Sequence, residues 1–150
     1  YKPINSDRFL NDCHEFIFHF SPGGVTPLDR LAIGVRYQDA SNVGRWRQAA
    51  RGVRCRGNAW FMPYDTIQFR DRDRPHPATF PPRLPEYCLR VHGLDRARLV
   101  LDPFLGLGNT AVACAQLGLS FIGMEIDRAY LQEAVARVKQ ALSTLKRCWR

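Results

Sequence analysis

Glu125 stands 19 residues after Gly106 (125 − 106 = 19), and what lies between them reads as a glycine loop, a helix and a strand. Leu99-Val100-Leu101 is a short apolar run, predicted to form a fully buried parallel strand. It feeds Asp102-Pro103-Phe104-Leu105-Gly106-Leu107-Gly108-Asn109-Thr110. Gly106 and Gly108 let a backbone turn sharply and come close to a ligand. Ala111 to Leu117 is rich in helix formers, and a helix there would point unpaired N–H groups and a positive dipole end at that ligand. Leu119 to Met124 is predicted as a second strand, closing on Glu125. A spacing of about 20 residues puts a carboxylate on ribose hydroxyls in Rossmann-type folds. The pattern therefore points to a nucleoside-containing cofactor. Gly106-x-Gly108-x-x-Ala111 also satisfies the dinucleotide fingerprint, so a nicotinamide-dependent oxidoreductase is an alternative. That fold needs a third strand and a second half beyond the acid, where these residues hold about one helix. A glycine-rich turn with no ligand is the bland alternative.

The elements that must position this loop are less regular. Glu15 to Phe20 reads as a buried aromatic strand, ended by a turn at Ser21-Pro22-Gly23-Gly24. From about Val25 to Arg74 the periodicity is weak. Arginines recur through this stretch, interleaved with Tyr37, Trp46, Trp60, Phe61, Tyr64 and Phe69. Arg45, Arg47, Arg54, Arg56, Asn58 and Trp60 mix phosphate-binding, base-reading and stacking groups, the composition of a nucleic-acid surface. A solvated insertion around a small aromatic core fits the same residues. Five prolines between Pro75 and Pro85 make the first part of that stretch extended. Glu86 to Val91 resumes a helical pattern with Gly93 as its stop. Asp127 is placed to cap a last helix with Tyr130, Leu131, Ala134, Val135 and Val138 as its apolar stripe, and residues 146–150 are expected to fray.

Composition bounds the rest. Hydrophobic residues make up 45% of the 150, enough for a core and too many for a disordered chain. A net charge of +8, with a sequence pI of about 9.7, favours a polyanionic partner. Tyr1 to Leu10 does not resemble a signal peptide, and no apolar run reaches the roughly 18 residues of a membrane helix. Five scattered cysteines with no C-x-x-C pair suit reduced thiols in a cytoplasm. Cys13, His14 and His19 lack a second ligand pair, so no metal is expected there.

Asp102-Pro103-Phe104-x-Gly106-x-Gly108-Asn109-Thr110 resembles the D-P-F-x-G-x-G-T-T loop of DNA amino-methyltransferases, with Asn109 in place of the first threonine. His76-Pro77-Ala78-Thr79-Phe80-Pro81 resembles a second motif of that family, and the two occur in the family's order and at its usual separation. The resemblance implies that S-adenosylmethionine is the cofactor. It implies that the loop holds the methionine end, that His76 and Pro77 complete that part of the pocket, and that Glu125 binds the ribose hydroxyls. The segment order resembles the circularly permuted beta class, in which a target-recognition region precedes the His-Pro motif and the cofactor loop follows. On that reading residues 1–24 and 75–145 belong to the methyltransferase core, 25–74 to the target-recognition region, and 146–150 to a tail. The partner implied is double-stranded DNA in a bacterial or phage-type, nucleoid-associated cytoplasmic setting, with no membrane.

Chemistry in this family depends on a tetrapeptide Asp/Ser/Asn-Pro-Pro-Tyr/Phe/Trp, which holds the target amine and stacks on the flipped base. Ser21-Pro22-Gly23-Gly24 and Phe80-Pro81-Pro82-Arg83 do not fit it. In the permuted order it would lie ahead of Tyr1, so no catalytic residue is assigned within the chain. The expectation is an α/β, Rossmann-like S-adenosylmethionine-dependent methyltransferase fold, incomplete at its N-terminus, with an inserted target-recognition region. The His-Pro-Ala-x-Phe-Pro variant resembles cytosine-directed members more than adenine-directed ones. A non-enzymatic DNA-binding remnant is the alternative from another class.

Overall fold

The computed structural model describes residues 14–39, 41, 51–63 and 79–148. The expectations placed on Cys13, Arg45, Arg47, His76 and Pro77 lie outside these residues. So does most of the proline-rich stretch.

Strands β1 (Val35–Arg36) and β2 (Val53–Arg54) form a small antiparallel pair, with Val35 opposite Arg54 and Arg36 opposite Val53. Helix α1 (Arg83–His92) follows. Strand β3 (Leu99–Asp102), helix α2 (Asn109–Leu117), strand β4 (Ser120–Gly123) and helix α3 (Arg128–Cys148) complete the described chain. Among the described residues no helix is long and apolar enough to cross a membrane.

α1 begins one turn earlier than its apolar pattern indicates. Pro85 sits in its first turn, where backbone N–H groups have no intrahelical partner and proline does no harm. The N–H of Gly93, at φ 105°, bonds to the carbonyls of Leu89 and Arg90 and closes the helix. α3 starts as expected: Asp127 Oδ1 accepts the N–H groups of Ala129 (2.8 Å) and Tyr130 (3.1 Å). Its helix runs on through Cys148, past the expected start of the frayed tail at 146.

β3 and β4 are parallel, in register from Leu99 opposite Ser120 to Asp102 opposite Gly123, and α2 connects them. The connection is a βαβ unit, as the loop–helix–strand pattern implies. α2 buries Asn109 and every residue from Ala111 to Ala115. Leu105, Ala111 and Ala134 form its core with α3, and Phe121 and Val138 pack against them.

Three expectations of burial are corrected. Leu99 and Leu101 are 57% and 58% exposed, because helices cover only one face of the two strands. Burial therefore alternates along β3 and β4, as it does in a sheet with one covered face. Glu15 to Phe20 forms no ladder among the described residues, and Phe16, Phe18 and Phe20 are 75%, 71% and 85% exposed. Their rings follow one another at 6.1 Å, the every-second-residue spacing of an extended chain. Aromatic β-propensity supplies the extended backbone, but burial also needs a neighbouring strand and a covering layer. On α3 Ala134 is buried and Tyr130 and Val138 are half-buried, while Leu131 and Val135 are exposed beside them. The helix packs chiefly on α2, and one partner covers a narrower stripe than the sequence offers.

Candidate cofactor-binding site

The loop from Asp102 to Gly108 is fixed by groups on both sides of it. Asp102 ends β3, and its Oδ1 accepts the N–H of Phe104 at 3.0 Å. The N–H of Met124 bonds to the Asp102 carbonyl, and the N–H of Leu105 returns to the carbonyl of Met124. Gly106 and Gly108 have φ of 52° and 78°, the left-handed region that glycine adopts without strain. At Gly108 a Cβ would also stand 2.7 Å from Cβ of Ala134, so the loop lies directly on α3.

The acid and the loop form one structure. Glu125 Oε2 accepts the N–H of Gly106 at 2.7 Å, and Oε1 accepts the N–H of Asp127 at 2.9 Å. The backbone N–H groups of Asp127 and Gly106 hold the Glu125 carboxyl below its ordinary range, against partial desolvation and the charge of Asp127. Glu125 is therefore an anion at neutral pH. A carboxylate has about four lone-pair sites, and the backbone N–H groups do not use all of them, leaving acceptor capacity for a hydroxyl donor. Phe104, 88% exposed, offers a bare ring at the loop tip beside exposed Pro103. Thr110 is half-buried. Asn109, a candidate cofactor contact, is held by other residues of the chain. It is buried at 8% exposure, and its side-chain amide is engaged by Phe80 and Arg137. Cys114 lies buried nearby; desolvation, then the charge of Asp102, pushes its thiol pKa up, so it stays protonated.

The candidate DNA contacts divide in two. Arg54 on β2 and Asn58 are exposed. Arg56 is half-buried, donates Nε–H to the Ile33 carbonyl at 2.9 Å and lies 5.2 Å from the ring centre of Tyr87. Trp60 meets the same ring edge-on at 5.6 Å and donates its indole N–H to the Gly57 carbonyl. Arg83 lies over that ring too, also at 5.2 Å, and donates to the Tyr87 hydroxyl. Arg56 and Trp60 thus tie the arginine-rich segment to α1. Sequence reasoning missed Tyr87, Arg83 and Arg137 as organising residues. For Arg137 a signal existed: it follows Ala134 by one turn, at the edge of the apolar stripe of α3, where it is half-buried and an unpartnered arginine would be anomalous.

Residues 1–136 match the DNA methylase family of N6 and N4 methyltransferases. The chain belongs to that family. The orphan methyltransferase M.BamHII of Bacillus amyloliquefaciens is 33% identical over 89% of this chain and 56% of its own length. The type II methyltransferase M.HpaI of Haemophilus parainfluenzae is 27% identical over 92% of this chain and 39% of its own. The chain thus spans roughly half or less of these curated relatives. A solved structure of an M1.HpyAVI-SAM complex is 36% identical over 43% of this chain and 32% of its own, with a TM-score of 0.40, too low to define a shared fold.

Proposed function

We propose that these residues form the cofactor-holding part of a DNA methyltransferase that moves a methyl group from S-adenosylmethionine to an exocyclic base amine, cytosine in preference to adenine. The observation that carries this reading is the 2.7 Å bond from Gly106 N–H to Glu125. It joins the glycine loop and the acid, 19 residues apart, in one site.

The residues fit the cofactor's chemistry. Glu125 has acceptor capacity for a ribose hydroxyl, held ready as an anion. Asp102, Pro103, Phe104, Gly106, Gly108 and Thr110 line the loop, and the first-turn N–H groups of α2 suit a carboxylate. His76 and Pro77 are proposed to complete the methionine end. The bound cofactor supplies an electrophilic methyl group on a sulfonium. In this reading the chain belongs to the circularly permuted class, with residues 25–74 as the target-recognition region. Arg45, Arg47, Arg54 and Asn58 face duplex DNA, and Arg56 and Trp60 hold that region in place. Alignment of the acceptor amine requires the family tetrapeptide, which the 150 residues do not contain. Positioning supplies much of the rate in such a transfer. The chain by itself is therefore expected to bind cofactor without methylating DNA.

Competitive titration with S-adenosylmethionine, S-adenosylhomocysteine and NAD tests the reading. Saturable binding of the first two, with none of NAD, is expected. Binding of NAD alone would return the site to the oxidoreductase class.

A further inference from the structure

We infer that Asn109 and Arg137 form a latch that sets the shape of the cofactor loop and ties it to the chain entering α1. The inference rests on the function proposed above and concerns positioning, not contact with the cofactor. Arg137 Nη1 donates to the Leu107 carbonyl at 2.6 Å, and Nη2 donates to Asn109 Oδ1 at 2.6 Å. Asn109 Nδ2 donates to the Phe80 carbonyl, also at 2.6 Å. Three segments distant in sequence meet here: the loop, the middle of α3, and Phe80 near the end of the His-Pro motif.

Residue chemistry fixes the direction of every bond. A guanidinium only donates and a peptide carbonyl only accepts, so the group between them must present an acceptor to one and a donor to the other. An amide does this across one short side chain. Aspartate would keep the bond to Arg137 but face the Phe80 carbonyl with a second acceptor. Arginine's fork is also specific, because two donors in fixed geometry reach two acceptors at once, which a lysine ammonium does less well. The latch clamps the loop at a second point. Glu125 holds its first half at Gly106, while Arg137 holds its second half at Leu107 and Asn109. The close seat of Gly108 on Ala134 brings Arg137, one turn further along α3, within reach.

The test compares Arg137→Gln, Arg137→Lys and Asn109→Asp with Val138→Ala, which loosens the same core outside the latch. Two quantities are read: affinity for S-adenosylmethionine by calorimetry, and amide hydrogen exchange of residues 106–110 without ligand. The three latch variants are expected to weaken binding by roughly tenfold and to speed exchange in the loop. Asn109→Asp combined with Arg137→Gln should lose less than the product of the two single effects, since both act through one junction. Val138→Ala is expected to lower the unfolding midpoint while leaving affinity and loop exchange near wild type. The inference falls if latch variants that remain folded bind as wild type, or if Val138→Ala changes affinity and loop exchange as much as they do. A wild-type protein that does not bind S-adenosylmethionine would sink the proposed function instead. The latch would then stand or fall on whether its variants, and not Val138→Ala, speed exchange at 106–110.

Discussion

The βαβ half, from Leu99 to Cys148, and the arginine-rich half, from Val25 to Pro63, are held together by different physics. In the first, small apolar residues pack at helical spacing and glycines sit where the backbone turns; Ala111 to Ala115 and Ala134 are all buried. In the second, Ile33 is the one buried side chain among the described residues. Its attachments are particular: Arg56 on Tyr87, Trp60 on the edge of the same ring, the Asp29 N–H on the Val91 carbonyl, and Arg51 beside Asp29. The contrast separates a closely packed unit, proposed to hold the cofactor, from an arginine-rich segment, proposed to meet DNA, that is pinned at a few points. Arginines can then vary on that surface without disturbing the core.

Substitutions can break this contrast. Gly108→Val forces a β-branched residue to φ 78° and drives a Cβ into Ala134, which should remove about 4 kcal/mol from the platform, combining left-handed strain with overpacking. Denaturant unfolding checks this; an unchanged midpoint would show that the loop does not seat on α3. Tyr87→Ala should cost about 3 kcal/mol, as other buried aromatic truncations do. Its signature is regional: proteolysis and hydrogen exchange should rise in 51–61 more than in 102–125. Equal loosening of both would mean that the halves form one cooperative unit. Arg54→Ala should weaken DNA binding several-fold and reduce the salt slope by about 1, leaving cofactor affinity unchanged. An intact slope would remove Arg54 from the interface. The smallest effect concerns pH. The Glu125 carboxyl titrates below its ordinary value in the folded chain, so its contribution is complete above the unfolded pKa. That contribution is lost as pH falls through the lower folded pKa. Loop exchange in the wild type should therefore quicken on acidification through the carboxylate range, and Glu125→Gln should flatten that dependence.

The same contrast explains what was legible in the sequence. Glycine spacing, the acid at 125 and the Asp127 cap are local signals, so β3, α2, β4 and the start of α3 could be read directly. Burial could not: Leu99, Leu101 and Phe16 to Phe20 carry apolar and aromatic side chains, but whether a layer covers them depends on chain distant in sequence. The arginine-rich half has no period to read. A guanidinium over a ring and a guanidinium on a phosphate draw on the same residue types, so Arg54 and Arg56 were indistinguishable until Tyr87 was placed. Asn109 was legible as a loop residue and not as a junction, because its partners, Phe80 and Arg137, lie 29 and 28 positions away.

The central claim is that Glu125 and the glycine loop together hold a nucleoside cofactor. Calorimetric titration of S-adenosylmethionine into the wild type and into Glu125→Ala, each shown to be folded by circular dichroism, tests it most directly. Saturable binding by the wild type is expected, weakened roughly ten- to hundredfold in the variant by loss of charge-assisted hydrogen bonds. Equal affinity in the two folded proteins would contradict the claim and place the cofactor elsewhere.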